Sequence, residues 1–224
     1  MFSIVMLSAA QAGTLTGTVR AEGKPEAEGT TAGGNYDSRK YKFAERVNYA
    51  ELRDFVVYIE GPVGTNVVLP PSKLVTVSTH RVTQKSAMFT PHVLPVMAGT
   101  TVEWPNDDEI FHNVFSMSEA KQFDLDLYKG NPHDKRVTFD KTGRVDVFCS
   151  IHANMHCIVL VLQNPFYALP DDRGHYSISN VPPGTYKLKA WHERLPAQTK
   201  EIVVTETGET KTDFILGITN LPKY

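Results

Sequence analysis

Cysteine is scarce in this chain. Two thiols in 224 residues are too few for the disulfide framework of a small secreted domain, although an oxidising compartment remains compatible with them. An excess of one charge is missing too. Lys and Arg total 23 against 25 Asp and Glu, which leaves no basic stripe for nucleic acid and no block of like charge. No apolar run approaches the roughly 20 residues a helix needs to cross a bilayer, so no integral membrane span is expected. Helical periodicity is nearly absent. Its one candidate is Tyr41 to Leu52, where Phe43, Val47 and Ala50 share a face.

What is present is strand after strand. Leu15 to Arg20 alternates, and Phe55 to Ile59 reads as a buried strand ending at Gly61-Pro62. Further strands are expected at Val93 to Met97, Thr100 to Trp104, Val137 to Phe139, Val145 to Phe148 and Ile158 to Leu162. Tyr176 to Ile178, Tyr186 to Trp191 and Ile202 to Thr205 close the series, with Pro182-Pro183-Gly184 as a turn. Short strands at this spacing predict an all-β protein built of sandwiches. At the start, Phe2 to Leu7 form an apolar run before Ser8-Ala9-Ala10-Gln11-Ala12. This small-x-small pattern reads as the remnant of an export signal over residues 1–13, and predicts a periplasmic or otherwise exported protein.

The chemistry concentrates in Cys149-x2-His152-x2-Met155, directly after the alternating run Arg144 to Phe148. A second imidazole lies upstream in Phe111-His112-Asn113-Val114. One thiolate, two imidazoles and a weakly bound thioether are the donor set of a blue-copper electron-transfer site. Each residue also has a plain reading. Cys149 is a small buried hydrophobe, Met155 is core filler, and His152 is an exposed loop residue. Their spacing, with a strand on each side, favours a metal.

Two family resemblances divide the chain. Residues Val82 to Leu162 resemble a cupredoxin of the amicyanin kind. The residues that carry the likeness are Phe89-x-Pro91, Val96-x2-Gly99-Thr100-x-Val102-x-Trp104-x-Asn106, His112-Asn113-Val114, Thr142-Gly143 and the Cys149/His152/Met155 triplet. The second likeness is to the carboxypeptidase-regulatory, transthyretin-like β-sandwich. It rests on Gly174-His175-Tyr176-Ser177-Ile178, Val181-Pro182-Pro183-Gly184-Thr185-Tyr186 and Leu188, with the opening Leu15 to Val19, Gly23-Lys24-Pro25 and Val56 to Ile59. Because that opening precedes the cupredoxin and the hairpin follows it, residues 75–163 are expected as a Greek-key cupredoxin sandwich inserted into a second sandwich. The latter would comprise residues 14–74 and 164–224. Tandem domains are the alternative. The whole resembles exported bacterial cupredoxin proteins labelled methylamine-utilisation proteins.

The cupredoxin resemblance implies one mononuclear type 1 copper, with His112, Cys149 and His152 in the trigonal plane and Met155 axial. It implies that Asn113 and Ser150 tie the ligand segments together by hydrogen bonds, and that His152 is the electron exit within an apolar patch. It further implies redox protein partners of cytochrome or dehydrogenase type, and a carrier rather than an enzyme. A copper storage or delivery protein without a redox role is the runner-up.

Several readings compete around the loop. Cys157 is a small strand residue, a disulfide partner of Cys149 that would destroy the copper site, or a second thiolate of a dinuclear centre. With the disulfide, the protein would be purely structural. His152-x3-His156 has helical chelate spacing, but Ala153 stands where a zinc peptidase needs Glu. Asp107-Asp108-Glu109 reads as a solvated turn near the site, able to guide a basic partner. His80, His92, His133, His175 and His192 show no ligand spacing, and Trp191-His192-Glu193 carries no evident mechanism.

Overall fold

The computed structural model describes residues 12–23, 48–63, 80–130, 132 and 134–217. Its strands are β1 (Gly13–Glu22), β2 (Val56–Glu60), β3 (His80–Arg81), β4 (Thr83–Lys85), β5 (Met88–Thr90), β6 (Val93–Met97), β7 (Thr100–Glu103), β8 (His112–Ser118) and β9 (Lys121–Tyr128). They continue with β10 (Arg136–Phe139), β11 (Gly143–Phe148), β12 (His156–Leu162), β13 (Tyr167–Ala168), β14 (His175–Val181), β15 (Gly184–His192), β16 (Leu195–Val204), β17 (Glu209–Lys211) and β18 (Phe214–Gly217). The all-β expectation holds. The chain divides into two compact units, Met1–Glu60 with Phe166–Tyr224, and Gly61–Pro165.

The first unit has one sheet ordered β14-β1-β17, with β18 also on β1, and another ordered β13-β2-β15-β16. Side chains in β1 alternate between buried and half-exposed over most of its length, as a strand with one face on a core requires. Gly174 turns the chain beside β1 with φ of 80°. A Cβ there would stand 2.3 Å from the Val19 carbonyl oxygen, so no larger residue fits.

The second unit carries the five-stranded sheet β6-β12-β11-β8-β9, the three-stranded sheet β10-β7-β3 and the hairpin β4-β5. Its core includes Val102, Trp104, Phe139, Val147, Met155 and Val159. Strand β12 lies between β6 and β11, and all its residues from Cys157 to Leu162 are buried. That explains its unbroken apolar run. Trp104 packs edge-on to Phe89 at 6.0 Å between ring centroids, and truncating such a side chain costs about 3–5 kcal/mol.

Two expectations need correction or completion, and one hairpin is new. The helix expected at Tyr41 to Leu52 falls outside the described residues as far as residue 47. Beyond that, Tyr49–Glu51 is a single 3-10 turn and Leu52 is extended, so no α-helix runs to Leu52. Gly13, expected to end the export segment, opens β1; residues 1–11 lie outside the described residues. The hairpin β8-β9 was not anticipated. A bulge between Asn113 and Phe115 breaks its alternation, and β9 is an edge strand studded with charge (Lys121, Asp124, Asp126), as exposed edges often are.

Candidate metal centre

The loop that carries Cys149, His152 and Met155 is a continuation of the β11-β12 ladder. Register pairs Phe148 with His156, and one step further the Cys149 N–H donates to the Met155 carbonyl at 3.3 Å. The Met155 N–H then closes the loop onto the His152 carbonyl at 3.0 Å. Cys149 and Met155 therefore face each other across the ladder, both buried in the same apolar cluster. Strand β8 lies beside β11 through the Phe148–Phe115 pair and begins with His112. Two neighbouring strands thus deliver the upstream imidazole and the loop to one place.

The donor atoms converge. His112 Nδ1 is 3.0 Å from His152 Nδ1, and His152 Nδ1 is 3.7 Å from Cys149 Sγ. The three donors all lie within 4.8 Å of one another. Two donors each about 2.0–2.3 Å from a shared ion stand about 3–4 Å apart. The soft-and-imidazole donor set and its separations therefore fit copper.

The surrounding bonds orient these donors. His112 is fully buried, and its Nε2 stands 2.8 Å from Asp108 Oδ2. A carboxylate only accepts, so this bond calls for a proton on Nε2 and leaves Nδ1 as the nitrogen that can offer a lone pair in the neutral ring. Asn113 is the tie between the two segments. Its N–H donates to Cys149 Sγ at 3.5 Å, its Oδ1 accepts from the Ser150 N–H at 3.2 Å, and its Nδ2 donates to Asp124 at 2.6 Å. Ser150 takes part through its main chain. Ile110, Phe111 and Ile151, the neighbours in sequence of His112 and His152, are all about half exposed.

The family described as copper binding proteins, plastocyanin/azurin family, matches residues 75–162. These residues contain a cupredoxin domain. Among solved structures, this chain is similar to an amicyanin mutant in its reduced Cu(I) form, with 23% identity and a TM-score of 0.34, covering 39% of this chain and 86% of that one. It is similar to a purple cupredoxin from Nitrosopumilus maritimus at 24% identity and TM-score 0.32, covering 37% of this chain and 98% of that one. A copper-containing nitrite reductase from Thermus scotoductus is 24% identical with TM-score 0.36, covering 47% of this chain and 28% of that one. Residues 162–212 match polysaccharide lyase family 4, domain II, a different family from the carboxypeptidase-regulatory one the sequence resembles. No curated protein matches the chain.

Within the cupredoxin domain, both cysteines are free. Register sets Cys157 opposite Val147, and Cys149 follows two residues after Val147, just past the end of β11. Such diagonal neighbours stand about 7–8 Å apart, beyond the usual Cα separation of a disulfide. Burial, with the Asp146 carboxylate nearby, pushes the Cys157 thiol far up, so it stays a neutral thiol. His156 belongs to the other face of the sheet. Its Nε2 bonds Asp146 at 2.9 Å and its ring stacks on Phe148 at 4.8 Å, so it does not chelate together with His152.

The main surprise is Asp108. The sequence places it in a solvated turn, yet its side chain is only 15% exposed. The Ala87 N–H first, then the His112 and Ser86 contacts, hold its carboxyl below the usual range against the opposing cost of burial. The sequence marks the pair only by its i,i+4 spacing, and nothing local marks the turn at Ser86 and Ala87 that holds the acid. Of the other histidines, His92 donates from Nδ1 to the His156 carbonyl at 3.2 Å. His175 pairs with Asp171 at 3.4 Å on the surface, and His133 lies outside the described residues. His192 is buried against Phe55 and accepts the Arg194 N–H at 3.1 Å. That bond braces the β15-β16 turn and supplies a structural reason for the Trp191-His192-Glu193 motif.

Proposed function

We propose that this is an exported mononuclear type 1 copper protein that passes single electrons between protein partners. The convergence of His112 Nδ1, His152 Nδ1 and Cys149 Sγ within 4.8 Å carries the reading. Bound copper would supply the one-electron couple. His112, Cys149 and His152 would hold it, with the Met155 thioether as a further, weaker donor. The Cys149 thiolate is kept available by its separation from Cys157 and is oriented by the Asn113 N–H.

The role is that of a carrier rather than an enzyme. His152 is half-buried and serves as the electron exit, while Ile110, Phe111 and Ile151 offer apolar surface for a redox partner of cytochrome or dehydrogenase type. We place the protein in the periplasm or another exported location on the strength of the leading apolar run and small-x-small site. The cupredoxin is read as an insertion into a carboxypeptidase-regulatory-like sandwich, which presents or stabilises it.

The test is a redox titration of protein loaded with one copper per chain. A reversible one-electron couple with bleaching of an intense blue or green colour supports the reading. Tight Cu(I) binding with no reversible coloured Cu(II) form would replace it with storage or delivery.

A further inference from the structure

The Asp108 carboxylate is held more firmly than a surface acid in a loop. Its Oδ1 accepts the Ser86 N–H at 2.7 Å. Its Oδ2 accepts the Ala87 N–H at 2.9 Å and the His112 Nε2–H at 2.8 Å. Ser86 and Ala87 are the two central residues of the β4-β5 hairpin, with φ of 54° and 53°. Both angles lie in the left-handed region that a two-residue type I′ turn requires. The turn aims two successive N–H groups at one acid, as backbone concavities do for anions.

The acid's own loop is pinned just as closely. Asn106 is 1% exposed and accepts the Asp108 N–H at 3.0 Å. Its Nδ2 donates to the Ile110 carbonyl at 2.9 Å and the Tyr128 carbonyl at 3.0 Å. The carboxylate is thus fixed from the turn, from its own loop and from the start of β8. It can meet His112 in one orientation only.

We infer that Asp108 is a positioning residue for the metal centre: it fixes the Nε2–H tautomer and ring orientation of His112 and biases the site toward the oxidised metal. This rests on His112 being a ligand, as proposed above. A carboxylate on the far nitrogen raises the basicity of a ligating imidazole and orients it. Its negative charge also favours the ion of higher charge, so Cu(II) gains more than Cu(I). The Ser86 and Ala87 N–H groups draw density off the acid and moderate that bias.

Two variants and two readouts test this. Asp108→Asn keeps the shape but removes the charge and one of the acceptors. Its Cu(II) affinity should fall about 10–100-fold with a smaller loss for Cu(I). A tenfold change in that ratio raises the one-electron potential by about 59 mV. An unchanged Cu(II)-to-Cu(I) affinity ratio in folded Asp108→Asn would overturn the inference.

The second readout needs no copper. Nitrogen NMR of the metal-free protein should show His112 as the Nε2–H tautomer in the wild type and as a mixture in Asp108→Ala. The same single tautomer in both proteins would also overturn it. Failure of the copper reading shows differently, as a wild type without a coloured Cu(II) form.

Discussion

His112 and His152 bring their Nδ1 atoms to 3.0 Å of each other although they stand forty positions apart in the chain. The pairing follows from topology. Strand β8 lies next to β11, so the first residue of one and the loop after the other share the same end of the sheet. A metal site built on two neighbouring strands has its donor spacing set by the sheet before any ion arrives. That preorganisation suits an electron carrier, whose site should change little between oxidation states.

Replacing Met155 tests the axial assignment. Met155→Leu conserves volume in the buried position opposite Cys149, so folding should change by less than about 1.5 kcal/mol. Copper and colour should persist while the reduction potential rises, as loss of an axial donor weakens the hold on Cu(II). Loss of copper binding would show that Met155 is more than a weak ligand.

Asn113→Ala removes the side-chain bonds to Ser150 and Asp124 but keeps the main-chain donor to Cys149. Both partners reach solvent, so the loss of stability should be about 1 kcal/mol by denaturant titration. The effect on the site should be larger in kind. Copper should dissociate about tenfold faster, because the side-chain bond from β8 to the Ser150 N–H is then gone and only the main-chain contact to Cys149 remains. A copper off-rate equal to the wild type's would show the tie to be dispensable.

Cys157 should be a bystander. Cys157→Ala should keep one copper and the visible spectrum, with a cost of roughly 1 kcal/mol for the lost buried volume. A thiol count on the denatured, unreduced, metal-free protein should find two. Loss of colour in this variant would revive the dinuclear reading, and a count of zero the disulfide.

Burial lowers the His192 pKa below its ordinary value of 6.5. Here the unfolded chain binds the proton more readily than the native one. Stability is therefore full above about pH 6.5 and declines as pH falls below it, levelling off beneath the native pKa. The midpoint of thermal unfolding should drop between pH 7.5 and 5.5, and His192→Gln should flatten that dependence. A profile just as steep in the variant would assign the effect elsewhere.

Much of the candidate site was legible because its determinants are local. Cys149, His152 and Met155 share one loop, and His112-Asn113 carries its own signature. The alternation in β11 and the apolar run in β12 announced strands. Strand β8 was hidden because the bulge after Asn113 shifts its pattern. Asp108 was hidden for a different reason. What buries and orients it is the turn at Ser86 and Ala87, whose left-handed backbone has neither glycine nor asparagine to mark it. A hydrogen bond from a distant main chain leaves no trace in composition. The outward turn of His156 could have been read from period-two geometry, since it alternates with Met155 and Cys157.

The most direct measurement is the visible and electron paramagnetic spectrum of the copper-loaded protein beside that of Cys149→Ser. One copper per wild-type chain should give an intense thiolate-to-copper visible band and a narrow copper hyperfine splitting, both lost in the variant. A wild-type Cu(II) spectrum without that band, or one that survives removal of the Cys149 thiol, would contradict the account.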